Sequence, residues 1–162
     1  MATFEDQLNP PINNLDEFEK SFLEITNLEL PKELRSLFCI GNGSKRTVCK
    51  YYSILSSDQL IDSYKSWKKI FDEWLLEELK VHESDGGKTL PMYTTPYWIP
   101  FMTDGNGNYI AIDYAPGKKG IQGQIIVFGA DEQIIKVLAN DLTEFFELLK
   151  NDPNPLSEHI QA

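Results

Sequence analysis

The run Tyr97-Trp98-Ile99-Pro100-Phe101-Met102-Thr103-Asp104-Gly105-Asn106-Gly107-Asn108-Tyr109-Ile110-Ala111-Ile112-Asp113-Tyr114 decides the fold class. An apolar stretch from Trp98 to Phe101 meets a turn cluster, Asp104 to Asn108. Beyond it, Ile110, Ile112 and Tyr114 share one face, and Tyr109, Ala111 and Asp113 the other. That period of two is a strand. A second turn cluster, Ala115 to Gly120, precedes a strand over Gln124–Phe128. A third, Gly129-Ala130-Asp131-Glu132, precedes a strand over Gln133–Leu138. Spacings this short predict an antiparallel meander, since parallel neighbours need crossovers of about a dozen residues or more.

Upstream the period changes to that of helices. Asn14 and Glu17 have capping-box spacing, and Leu15, Phe18, Phe22 and Ile25 then mark one helix face. Pro31 opens a second helix with Leu34, Leu37 and Phe38 as its stripe, and Gly41-Asn42-Gly43 ends it. Thr47 to Leu55 is rich in β-formers and reads as a strand. Ser56 and Gln59 cap a long helix over about 58–81, with Leu60, Tyr64, Trp67, Phe71, Trp74 and Leu75 as its core face. Residues 82–96, with Gly86, Gly87, Pro91 and Pro96, read as a loop. A last helix spans Asp141 to Lys150 and turns Leu142, Phe145, Phe146 and Leu149 inward. The order of elements predicts an α+β domain over residues 14–152, between an N-terminal arm (1–13) and a C-terminal tail (153–162).

The chain has 162 residues, enough for one core, and 41% of them are hydrophobic. It holds 25 acidic and 15 basic residues, a net charge of -10. A protein this acidic has no electrostatic attraction to nucleic acid phosphates; its charge serves solubility alone or attracts a basic partner, the former being the favoured reading. The charge is uneven: residues 36–70 sum to +4 and the remainder to -14. No apolar run is long enough for a membrane span, and the N-terminus lacks the basic and apolar regions of a secretory signal. The expected compartment is therefore the cytoplasm.

Chemistry-bearing patterns are few. Cys39, Cys49, His82 and His159 form no ligand spacing for zinc, and the two cysteines read as free thiols. A calcium loop starting at Asp104 would need glycine where Tyr109 stands and a bidentate glutamate where Ala115 stands. No GxSxG, GxGxxG or Walker loop is present. The expectation is a non-enzyme with no cofactor and no metal. Asp113, an aspartate within an apolar strand, is expected to face solvent or to bond a turn amide near Lys118–Gly123. Asp104, Asp113, Asp131 and Glu132 stand near turns of the meander, where a rigid scaffold presents exposed acids to a partner. Trp98 is a fifth candidate, as a groove aromatic, with core packing the favoured reading.

The motif Trp98-Ile-Pro-Phe-Met, the Asp104-Gly-Asn-Gly-Asn turn, Ile112-Asp113, Pro116-Gly117, Gly123-Gln-Ile-Ile126, and Leu138-Ala139 before Glu144-Phe-Phe146 occur in fixed order. With Leu30-Pro31, Leu34, Phe38 and Asn42-Gly43 upstream, they resemble the Smi/Knr family of the SUKH superfamily. The resemblance implies helices packed around a mainly antiparallel sheet. It also implies a protein-binding function without catalysis, of one of two kinds. In bacteria such domains are immunity proteins that bind and block a cognate toxin domain, often a nuclease. In fungi they are regulators of cell-wall synthesis, acting as interaction or scaffold modules. The compact length resembles the bacterial type, which makes a basic toxin the first expectation and a regulatory module the alternative. The basic stretch at 36–70 departs from a uniformly acidic docking face.

Overall fold

The computed structural model describes residues 4–49, 51–80, 83–132 and 134–151. Its helices are α1 (Leu15–Thr26), α2 (Lys32–Ile40), α3 (Ser57–Glu73), α4 (Leu76–Leu79) and α5 (Leu142–Asn151). Its strands are β1 (Ser53–Ile54), β2 (Glu83–Ser84), β3 (Trp98–Thr103), β4 (Asn108–Asp113), β5 (Gln124–Gly129) and β6 (Ile134–Ala139). The strand order is β1-β3-β4-β5-β6-β2. All pairs are antiparallel except β2 with β6. This is the expected α+β class.

Both faces of the sheet are covered, so β5 is buried along its whole length. One face carries Ile99, Phe101, Met102, Ile110, Ile112, Ile125 and Val127 against α1, α2 and α5. Phe18 of α1 meets Phe38 of α2 edge-on at 5.0 Å, and Phe145 of α5 meets Phe101 at 5.7 Å. The other face carries Trp98, Ala111, Ile126 and Phe128, and Trp67 of α3, Leu79 and Met92 close it. Pro100 sits where the β3–β4 register shifts, so the donor it lacks falls in an already irregular ladder.

The caps at Asn14 and Ser56 form as their spacing indicates. Four local expectations change. The strand expected over 47–55 shrinks to Ser53–Ile54, because the chain folds back between Cys49 and Tyr52 and satisfies its amides locally. Within the arm, Leu8 is buried and pairs with Ser44, and the amides of Asn9 and Lys45 reach Gly43 and Gln7. The long helix stops at Glu73: Trp74 is extended (ψ 150°), and α4 restarts at Leu76. The loop after it contributes β2, whose parallel pairing no period-two pattern announced. Residues just beyond β2 then bond β6 through side chains, Thr89 Oγ1 to the Ile135 carbonyl at 2.8 Å and Asp85 Oδ2 from the Val137 amide at 3.0 Å. His82 and the tail 153–162 lie outside the described residues.

Candidate interaction surface

The turn between β3 and β4 is organised by Asp104. Its Oδ1 accepts from the amides of Asn106 (2.7 Å) and Asn108 (3.2 Å), and its Oδ2 accepts from Asn108 Nδ2 at 2.8 Å. The same Nδ2 donates to Asp131 Oδ2 at 2.9 Å, while Asn108 Oδ1 accepts from the Asp131 amide at 2.9 Å. One buried amide side chain thus ties the β3–β4 turn to the β5–β6 turn. Gly129 permits this approach: a Cβ there would sit 2.4 Å from the Gly107 carbonyl, and its φ of 139° suits glycine. Asp104 is half-buried and Asp131 exposed, so these two expected docking acids do stand together at one end of the sheet. Both Asp104 oxygens and Asp131 Oδ2 are engaged in this internal network.

The other three expected docking residues are inside the protein. Asp113 is fully buried. Its Oδ1 accepts from the Ala115 amide at 3.0 Å and its Oδ2 from Gln124 Nε2 at 2.9 Å. The turn amide it bonds is therefore Ala115, not one in the Lys118–Gly123 loop. Burial pushes its carboxyl up from the ordinary value, opposed by Gln124, the Ala115 amide and, more weakly, the Trp98 indole. Gln124 also donates to the Lys88 carbonyl at 2.9 Å and accepts from the Ile121 amide at 3.1 Å. Asp113 is thus a fastener of the β4–β5 end, not an exposed acid. Glu132 is buried because the turn closed by its amide on the Gly129 carbonyl carries its side chain inside. Trp98 is buried with its ring 5.2 Å from Phe128, a core residue and not a groove aromatic.

The outward-facing feature lies elsewhere, at the break between α3 and α4. Trp74 is 41% exposed, Leu75 67% and Leu76 57%. The Trp74 ring stacks on Tyr93, 5.1 Å away and 5° from parallel. Tyr93 in turn meets the buried Trp67 edge-on at 5.3 Å. The ledge is therefore anchored to the core through two aromatic contacts. Asp72, Glu73, Glu77 and Glu78 flank it and are all exposed. Lys68 holds Asp72 at 2.6 Å, and Glu78 accepts from the Leu75 amide at 3.3 Å. A separate groove of about 680 Å³ between α1 and α3 is lined by Ile12, Phe18, Ile25 and Ile61 together with Glu17, Asp58 and Asp62.

A model of the SMI1 / KNR4 family (SUKH-1) matches residues 10–148, which takes in every element from α1 to β6 and most of α5. The chain belongs to that family. Within it, the chain is similar to a Neurospora crassa "Glucan synthesis regulatory protein", 28% identical over 178 aligned residues, covering 87% of this chain and 33% of the relative. It is 27% identical over 138 residues to the Schizosaccharomyces pombe "Cell wall biosynthesis/cell cycle regulator smi1", covering 76% of this chain and 27% of that protein. It is 45% identical over 62 residues to the Saccharomyces cerevisiae "Cell wall assembly regulator SMI1", covering 38% of this chain and 12% of the relative. The chain thus spans a third or less of these relatives.

Sequence reasoning missed the ledge because it assigned Trp74 and Leu75 to the core stripe. The signal against that was present. Three consecutive large apolar residues spread over about 200° of a helix, too wide for one narrow stripe. Among the described residues no helix is long and apolar enough to cross a membrane.

Proposed function

We propose that this SMI1/KNR4-family chain is a non-catalytic interaction module acting inside the cell in the regulation of cell-wall or glucan synthesis. The observation that carries this reading is the likeness over 87% of the chain to a relative named as a regulator of glucan synthesis. The other relatives described above are named for cell-wall assembly or biosynthesis, which favours the regulatory branch over the toxin-immunity branch. The geometry supports a binding role: Asp104 and Asp113, two of the acids expected at the surface, are spent on internal bonds, while an apolar ledge is left open. A net charge of -10 favours a protein partner with a basic surface over nucleic acid.

The test is a domain exchange. The matching domain of the Saccharomyces cerevisiae regulator is replaced by this chain in cells lacking the native protein, and growth is scored under cell-wall stress. Restored growth is the expected result. A chimera that accumulates in soluble form at native levels yet gives no rescue overturns the reading.

A further inference from the structure

We propose that the Trp74–Leu75–Leu76 ledge is the docking site for a short protein segment combining large apolar side chains with flanking lysines or arginines. This deepens the interaction-module reading and rests on it. Single exposed apolar residues are ordinary, but three consecutive ones form a patch that calls for a cover. Ending α3 at Glu73 is what puts them outside. Trp74 is held flat on Tyr93, so docking freezes little additional motion. Tryptophan and tyrosine are also the residues that most often dominate binding energy at interfaces.

Charge selects the occupant. Residues 72–80 carry four carboxylates, Asp72, Glu73, Glu77 and Glu78, against one cation, Lys80, with Lys68 and exposed Lys69 one turn back on α3. Lys68 offsets only Asp72. An anionic membrane surface is repelled by this rim. A second copy is disfavoured because a two-fold contact would set both acidic rims against each other. A basic–apolar segment satisfies both parts: its apolar anchors cover Leu75, Leu76 and the open side of Trp74, and its cations meet Glu73 and Glu77.

The probe is a fluorescent amphipathic peptide of about 14 residues built from Leu and Lys, titrated against the whole chain by anisotropy. Matched peptides carry Glu for Lys, or Ser for Leu. The variants are L75S/L76S, which keeps every charge, and E73Q/E77Q, which keeps every apolar group. The expected loss of affinity for L75S/L76S is about tenfold or more at any salt. For E73Q/E77Q it is about two- to fivefold at low salt and vanishes near 0.5 M NaCl. Neither control peptide should bind comparably. Affinity unchanged in L75S/L76S overturns the proposal, as does equal binding of the Glu peptide. Concentration-dependent dimerisation of the chain that L75S/L76S abolishes also overturns it, in favour of a second copy. Introducing L75S/L76S into the domain-exchange chimera separates the two readings. Rescue by the parent chain and by the variant alike rejects the ledge as the working surface, whereas failure of the parent chimera rejects the regulatory reading.

Discussion

Asp113 and Gln124 are direct partners in the β4–β5 register, and their side chains bond at 2.9 Å with both residues buried. The pair joins three segments, because Gln124 Nε2 also serves the Lys88 carbonyl. Gly120 packs tightly at the same place: a Cβ there would fall 2.0 Å from that carbonyl. Replacing Asp113 by Ala strands the Ala115 amide and one Gln124 donor, so a loss of about 2–3 kcal/mol is expected from urea unfolding. Asp113→Asn removes the buried charge but offers an N–H where one donor needs an acceptor, so its loss should be nearer 1 kcal/mol. The pH dependence has a definite sign. The folded carboxyl titrates above its ordinary value, so the folded state holds the proton more tightly than the unfolded chain does. The contribution of Asp113 to stability is therefore full below the unfolded value of about 3.9 and is lost as pH rises through the folded one. The stability of the natural chain relative to Asp113→Asn should accordingly grow as pH falls from neutrality. A difference that shrinks on acidification contradicts this.

Asn108 presents a different balance. Its Nδ2 sits between Asp104 Oδ2 at 2.8 Å and Asp131 Oδ2 at 2.9 Å, so two carboxylates are held within about 6 Å of each other. Asn108→Ala removes the shared donor and leaves the two charges facing. The expected loss is about 1–2 kcal/mol, since the site is half open to water. Part of that loss should return at high salt, because screening weakens the repulsion while leaving the packing unchanged. Unfolding curves at about 0.05 and 0.5 M NaCl measure this; a loss independent of salt would show that the amide acts only through turn geometry.

Trp98 separates a core role from a recognition role. Its ring packs on Phe128 within the cluster closed by Trp67. Trp98→Ala is expected to cost about 3–5 kcal/mol, the range for emptying a large buried aromatic, and Trp98→Phe considerably less. The ledge peptide should bind Trp98→Phe as it binds the natural chain. A Trp98→Phe protein that keeps its stability but loses the peptide would return this residue to the interface.

Much of the fold is written locally. Period-two alternation identifies β4, turn clusters bracket β5 and β6, β3 is legible only as an apolar stretch, and cap residues three apart mark the starts of α1 and α3. What is not local was not legible. β2 has two residues and pairs with β6 in parallel, so neither length nor alternation marks it. The burial of Asp113 depends on a sheet covered on both faces and that of Glu132 on the β5–β6 turn, whereas turn proximity alone suggests exposure. At the interruption Trp74 stacks on Tyr93, a residue 19 positions away in the sequence. Helix periodicity cannot register such a partner. The family resemblance was visible in the motifs; the relatives are named for the regulation of glucan or cell-wall synthesis, and the regulatory branch is proposed on those names.

The final prediction asks whether the ledge has a structural purpose. Leu75 and Leu76 point outward, while Leu79, one turn further along α4, is 2% exposed and packs with Met92 and Ile135. If the ledge exists for recognition, the fold is indifferent to its apolar character. Leu75→Ser and Leu76→Ser together should shift stability by no more than about 0.5 kcal/mol in either direction. Leu79→Ala should cost about 2–5 kcal/mol, because it opens a cavity beneath the same short helix. Thermal and urea unfolding of the three proteins provide the comparison. Should the double serine variant prove as damaging as Leu79→Ala, the exposed leucines would be supporting the α3–α4 break itself. Wild-type stability combined with lost peptide binding would leave recognition as the reason these two leucines face water.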